Sequence, residues 1–242
     1  MLVSHGSRDP RPQTATTQLA ELVSQQLKIG GDSHPVVKTA VLDCSPIPLH
    51  QQIQAFAQEV CASRELQEIA PAHLYLVPLF LIPGVHVMED IPAEVAIAQQ
   101  LLGDSITLEI CPYLGTDTSL YELLAPAASS AKTGRVVMSH GSRRAGGNAP
   151  IDAIATHLEA VSAYWSVAPN LADQVTHLVE QGCEAIDILP YFLFEGGITD
   201  AIAQTVAQLS QQFPTTPLRM AETLGANSGL ATHIVNLISK DF

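Results

Sequence analysis

Short uninterrupted apolar runs alternate along this chain with longer stretches in which apolar residues recur every three or four positions. In the first half, Met1 to Val3 is such a run. Leu19, Leu22, Val23 and Leu27 then follow the i, i+3, i+4, i+8 spacing of one helix face. Val36 to Leu42 reads as a strand, and Pro48 to Ser63 as a helix with proline at its start. Ala72 to Ile82 reads as a strand, and a helix after Asp90 carries Ile91, Val95 and Ala98 on one side. Ser105 to Cys111 supplies a fourth strand. Strands that are apolar almost throughout have both faces covered, and their alternation with helices implies a parallel sheet.

The pattern is written twice. Ser4-His5-Gly6-Ser7-Arg8 recurs as Ser139-His140-Gly141-Ser142-Arg143, each copy following an apolar run, Met1 to Val3 and Val136 to Met138. Leu76-Val-Pro78-Leu-Phe-Leu81 is matched by Ile188-Leu-Pro190-Tyr-Phe-Leu193. Leu114-Gly115 and Leu224-Gly225 each precede an apolar helical stretch, the second with Leu230, Ile234, Val235 and Ile238 on one stripe. Three matches in the same order imply duplication. The second copy is the more compact, with 51 positions from Ser139 to Pro190 against 74 from Ser4 to Pro78. The seam falls near Ala125 to Gly134, where Ala, Ser, Pro and Gly dominate, giving domains at 1–128 and 129–242. The expected fold is α/β: two similar domains, each a mainly four-stranded parallel sheet flanked by helices, related by a pseudo-two-fold with a cleft between. Ligands of open α/β sheets bind beyond the carboxyl ends of strands, which is where both His-Gly-Ser-Arg copies sit.

A length of 242 residues suffices for two such cores, and 47% hydrophobic against 14% charged residues excludes disorder. With 24 acidic against 11 basic residues, nucleic acid is a poor partner. An anionic ligand would need the few cations gathered in one place. Arg8, Arg11, Arg143 and Arg144 are four of the eleven, all beside the repeated motif. Cys44, Cys61, Cys111 and Cys183 lie far apart with no C-x-x-C pair, so no iron–sulfur cluster or structural zinc is signalled, and reduced thiols suit a cytosolic chain. The longest apolar stretch, Leu74 to Val87, contains Pro78 and Pro83 and is too short to span a bilayer. The first residues turn polar after Val3, leaving no secretory core. A cytoplasmic protein without membrane contact is expected. No G-x-x-x-x-G-K-[ST] loop is present, which argues against a nucleotide-driven activity.

His5 follows a strand, where a histidine is more often structural than catalytic. Its setting favours function: Gly6 allows close backbone approach, and Ser7 and Arg8 can bind an anionic group. His86, in Pro83-Gly-Val-His-Val-Met-Glu-Asp-Ile-Pro92, leaves the third strand at its carboxyl end, so His5 and His86 face one cleft. Glu89 lies three residues on, and a helical turn puts it on the side of His86. Two imidazoles and a carboxylate suit Fe²⁺, Co²⁺ or Ni²⁺. Asp90 reads equally well as acidic charge at a helix N-terminus. The second half keeps His140 but has Ile198 where His86 stood, so a site needing both histidines belongs to the first half. Arg143 and Arg144 are then available to hold carboxylates. His34, His50, His73, His157, His177 and His233 occur singly and read as surface or ordinary polar residues.

The opening S-H-G-S-R-D-P-R and the segment P-L-F-L-x-x-G-x-H-x-x-x-D-I-P together resemble the sirohydrochlorin chelatase family of class II chelatases, in its long duplicated form. The resemblance covers nearly the whole chain. It implies ATP-independent insertion of cobalt or ferrous iron into sirohydrochlorin, towards cobalamin or siroheme, by a lyase whose partner is the tetrapyrrole. It places metal-binding and catalytic roles on His5 and His86, with Glu89 as a further catalytic residue. Ser7, Arg8, Arg11, Arg143 and Arg144 become candidates for substrate binding, since sirohydrochlorin bears many carboxylates. No cofactor beyond the divalent metal substrate is expected, neither nucleotide nor iron–sulfur cluster. Some long cobalt-handling members carry a His-rich segment and a Cys-rich cluster motif. Neither occurs here, which weighs towards iron with cobalt left open. A duplicated cleft implies a monomer. Two rival readings stand beside this one: a tetrapyrrole or metal carrier without turnover, and a histidine phosphatase, whose Arg-His-Gly opening Ser4-His5-Gly6 resembles.

Overall fold

The computed structural model describes residues 1–29, 36–63, 72–124 and 132–239. The chain forms two compact units, one of Met1–Asp117 with Ala226–Phe242 and one of Thr118–Gly225.

The first unit is built from β1 (Leu2–Ser4), α1 (Pro10–Ile29), β2 (Thr39–Val41), α2 (Leu49–Ser63), β3 (Ala72–Pro78), α3 (Ile91–Leu102) and β4 (Ile106–Ile110). Its strands run parallel in the order β2-β1-β3-β4. Side chains alternate across the sheet. Val3, Ala40, Leu74, Leu76 and Ile106 pack with Leu49, Ile53 and Phe56 of α2 and with Ile91, Val95 and Ala98 of α3. Leu2 and Val77, one position out of phase, are buried on the opposite side. There α1 brings Leu19 and Val23, and the terminal helix brings Leu230 and Ile234, each fully buried. Burial of each such side chain contributes about 1.5–3 kcal/mol. Asp9 caps α1 by accepting the Arg11 N–H at 3.0 Å, and Pro10 takes the first helical position, where a missing N–H costs nothing.

The second unit repeats the plan with β5 (Thr133–Ser139), α4 (Ala149–His157), β6 (Val161–Tyr164), α5 (Leu171–Glu180), β7 (Ala185–Pro190), α6 (Gly197–Gln212) and β8 (Leu218–Met220). The order is β6-β5-β7-β8, again all parallel. Val136, Met138, Ile186 and Ile188 pack on α5 and α6. Asn170 and Asp173 form a reciprocal capping box at the start of α5.

The two four-stranded parallel sheets are thus those the sequence predicts, but three details differ. β2 and β3 are shorter than the apolar runs that signalled them, because apolar residues such as Phe80 continue into loops that pack on the same core. Leu114-Gly115 introduces short 3₁₀ turns, Leu114–Thr116 and Thr118–Leu123, rather than an α-helix among the described residues. The compact units also divide the chain differently from halves at 1–128 and 129–242. The last helix, α7 (Ser228–Ser239), packs on α1, where Gln26 donates to the Ser228 carbonyl at 2.9 Å. Most of the expected seam, 125–131, lies outside the described residues, as does His34.

Candidate functional site

In the order β2-β1-β3-β4 the chain moves one way from β1 to β2 and then back past β1 to β3. The carboxyl ends of β1 and β3 therefore form a topological switch point, the usual ligand crevice of an open α/β sheet. Three side chains meet there. His5 follows β1, Asp43 follows β2 and His86 follows β3. Each offers one ligand atom, and these atoms lie within 4.8 Å of one another.

Backbone pairing explains the convergence. Beyond the strands proper, Leu42 N–H donates to Ser4 O at 2.9 Å and Asp43 N–H to His5 O at 2.8 Å, which carries Asp43 alongside His5. Gly6, with φ of 96°, turns the chain away immediately, and Cys44 does the same after Asp43 with φ of 60°. On the other side Leu79 N–H donates to Val3 O at 2.8 Å, and the chain then leaves the sheet towards His86. The His5 and His86 rings meet edge to face with centroids 4.7 Å apart, and the Phe80 ring stands 6.4 and 6.3 Å from them.

The hydrogen bonds define which nitrogen each imidazole offers. His5 Nδ1 lies 3.2 Å from the Gly6 carbonyl oxygen and His86 Nδ1 lies 2.8 Å from Asp90 Oδ2. Both partners only accept, so both Nδ1 atoms donate, and in the neutral ring Nε2 keeps its lone pair. His5 Nε2 faces Asp43 Oδ2 at 3.8 Å, too far for a hydrogen bond and a gap that a cation can bridge. A four-coordinate ion with bonds of about 2.1 Å holds its ligand atoms roughly 3.4 Å apart, so small side-chain movements close this set on a metal.

Of the sequence-predicted residues, His5 and His86 are brought together. Glu89 is exposed, and the carboxylate that reaches His86 belongs to Asp90. The cause is local: His86–Asp90 is a π-turn closed by Ile91 N–H on His86 O, and its wider winding sets i+4, not i+3, over His86. Asp90 precedes α3 yet makes no side-chain cap bond there. Ser7 Oγ accepts the Asp9 N–H at 3.0 Å, so its hydroxyl shapes the loop. Arg11 grips Asp9 with Nε at 3.2 and 3.1 Å and Nη2 at 2.6 Å, which holds the Asp9 carboxyl below the usual carboxylate range. Arg8, Arg143 and Arg144 are exposed, and among the described residues no carboxylate pairs with them. Asp43 was missed because it sits in a polar turn after a three-residue strand, and only strand pairing gives it meaning. Two histidines read as ordinary polar residues hold carboxylates, His50 the half-buried Glu94 at 2.8 Å and His233 the buried Asp117 at 2.7 Å.

The second unit preserves the scaffold and loses the ligands. His140 Nδ1 donates to Gly141 O at 3.0 Å, as in the first copy. Ser166, whose N–H donates to His140 O, stands in the place of Asp43, and Ile198 in that of His86. The loop after His140 is closed by Ser142 N–H on Asn148 Oδ1 at 2.7 Å and by Asn148 Nδ2 on Ser142 O at 3.2 Å.

Sheet order and cluster together define a doubly wound α/β protein with two histidines and one carboxylate gathered at its switch point. The chain belongs to the CbiX family, whose profile matches residues 1–131 and 134–241. It is similar to the sirohydrochlorin ferrochelatase of Priestia megaterium, 23% identical over an alignment of 253 residues covering 98% of this chain and 87% of that one. It is also similar to the sirohydrochlorin cobaltochelatase of the same organism, 24% identical over 251 residues covering 96% and 76%. Among solved structures, SirB from Bacillus subtilis with Fe³⁺ superposes with a TM-score of 0.73 at 20% identity, covering 99% of this chain and 93% of that one. No helix among the described residues is long and apolar enough to cross a membrane.

Proposed function

We propose that the protein is a sirohydrochlorin chelatase that inserts a divalent metal, Fe²⁺ or Co²⁺, into the macrocycle without a nucleotide, in siroheme or cobalamin biosynthesis. The observation that carries this reading is the cluster of His5, Asp43 and His86 at the switch point, whose ligand atoms lie within 4.8 Å of one another. Membership of the CbiX family supports the same activity. The rival reading of a carrier uses the same cluster and differs in turnover.

Insertion exchanges one M²⁺ for two pyrrole N–H protons. Two neutral imidazoles and one carboxylate hold a borderline divalent ion while leaving positions open for ring nitrogens. As those nitrogens replace the protein ligands, the vacated imidazole lone pairs act as bases and take up the two displaced protons. Asp43 supplies negative charge that favours both the bound cation and the imidazolium that replaces it. Arg8, Arg143 and Arg144 carry unpaired guanidinium groups suited to carboxylates, and Arg11 is already committed to Asp9.

The test is anaerobic absorbance of sirohydrochlorin with Fe²⁺ or Co²⁺, using wild type, His5→Ala, His86→Ala and Asp43→Asn. Wild type accelerates metallation over the uncatalysed rate, and each variant lowers kcat/KM by about 100-fold or more. A spectral shift on binding without turnover makes the protein a carrier and refutes the proposal.

A further inference from the structure

Asp90 precedes helix α3, where an acidic residue is ordinarily explained by capping or by the helix dipole. Its side chain does neither job of hydrogen bonding at that terminus: no cap bond is made, and Oδ2 lies 2.8 Å from His86 Nδ1. The π-turn His86–Asp90 makes this possible by stacking i+4 on i. π-turns cost hydrogen-bond geometry and recur at functional positions. We infer that Asp90 is the positioning residue of the metal site. It holds His86 as the Nδ1-protonated tautomer through the π-turn, so that Nε2 is the atom turned to the metal.

The second unit gives an independent argument from within the same chain. Counting from Pro190 as from Pro78, Ile198 takes the place of His86 and Ile202 the place of Asp90. Histidine and aspartate are thus both absent there. The segment is an ordinary α-helix, Gly197–Gln212, with Ile202 fully buried. The start of that helix has its own acidic residue, Asp200 in its first turn, so the carboxylate that disappears with the imidazole is the one at the position facing it.

His5 shows the contrast. Its Nδ1 donates to the carbonyl of the next residue, Gly6, so its tautomer is set by backbone and no side chain is needed. The two histidines therefore reach one tautomer by different means, and only His86 depends on a replaceable side chain. Without the Asp90 acceptor, His86 is free to place its proton on Nε2 and lose the lone pair that the metal uses.

This inference rests on the chelatase reading for its purpose but is tested apart from it, on the full chain without tetrapyrrole. Long-range ¹H–¹⁵N spectra of the imidazoles assign the His86 tautomer, and titration with Co²⁺ gives the affinity. Wild type shows Nδ1–H on His86. Asp90→Asn shifts His86 towards Nε2–H and weakens Co²⁺ binding about 10- to 100-fold, the usual effect of losing a partner behind a ligand. Asp90→Glu restores part of both readouts, and it serves as the decisive variant if Asp90→Asn does not fold. The His5 tautomer is unchanged throughout. A folded Asp90→Asn protein that keeps the His86 tautomer and the wild-type Co²⁺ affinity overturns the inference. So does an Nε2-protonated His86 in wild type. Wild-type protein that behaves as stated but never metallates sirohydrochlorin refutes the chelatase reading and leaves the role of Asp90 intact.

Discussion

Replacing Gly6 with alanine separates the architecture of the proposed metal site from the stability of the fold. A β-carbon on Gly6 would stand 2.1 Å from the Asp43 carbonyl oxygen, on a backbone with φ of 96°. An ordinary carbon–oxygen contact is about 3.3 Å, so the β1 and β2 exits must part by roughly 1.2 Å. The backbone strain costs about 1–3 kcal/mol, and weakening the Asp43 N–H bond to His5 O adds about 1 kcal/mol. A total of roughly 2–4 kcal/mol leaves most domains folded and lowers Tm by about 5–15 °C. The displacement falls on the segment carrying Asp43, so metallation kcat/KM drops by about 100-fold, the usual effect of a 1 Å misplacement. Gly141→Ala is the internal control. Its φ is 79° and its β-carbon would lie 2.8 Å from that of Tyr164, so stability falls similarly, but the nearby residue in the place of Asp43, Ser166, is no ligand. Differential scanning calorimetry and the metallation assay read the two effects. A folded Gly6→Ala enzyme with wild-type turnover would sink the reasoning, as would an equal loss of turnover in Gly141→Ala.

Two further outcomes are expected. Asp9→Asn keeps the cap on α1, since asparagine caps as well as aspartate, but loosens the grip on Arg11. Weakening that pair should lower KM for sirohydrochlorin severalfold if Arg11 also reaches the substrate, and an unchanged KM would show that Arg11 takes no part in binding. The Tyr164 hydroxyl is pushed up to about 12 by burial first and by its bond to Asp152 at 2.5 Å second. An unfolded tyrosine titrates near 10, so the folded state keeps its proton longer. The stability from this group is complete below about pH 10 and is lost as pH rises through about 12. Phenolate absorbance should show that late titration in wild type and an earlier one in Asp152→Asn.

What could be read from sequence was whatever obeys a period. Ile91, Val95 and Ala98 lie on one helical stripe, and all three are buried on α3. His5 and His86 were legible because each follows an apolar run at a strand's carboxyl end. Asp43 was not, since its nearness to His5 depends on the register Ser4 opposite Val41, which pairs residues 37 positions apart. The i+3, i+4 rule admits both Glu89 and Asp90 beside His86, and only the π-turn, which the sequence does not announce, decides for Asp90. Arg11 looked free because its partner, two residues away, faces it only once α1 has formed.

The placement of α7 bears on how such a chain arose and how it can be divided. Among the described residues, the helix that covers α1 comes from the chain's last residues and not from its first half, while Thr118–Leu123 is counted with the second unit. This is the connectivity of a domain swap closed within one polypeptide. A single-copy ancestor would have had to find that helix on a second chain, at whatever concentration was available. Fusion of the copies holds it at an effective concentration on the order of millimolar. Cutting at the seam would therefore not release two autonomous domains: the fragment bearing the histidines would be missing its cover, and the other would carry a helix with no place in its own fold.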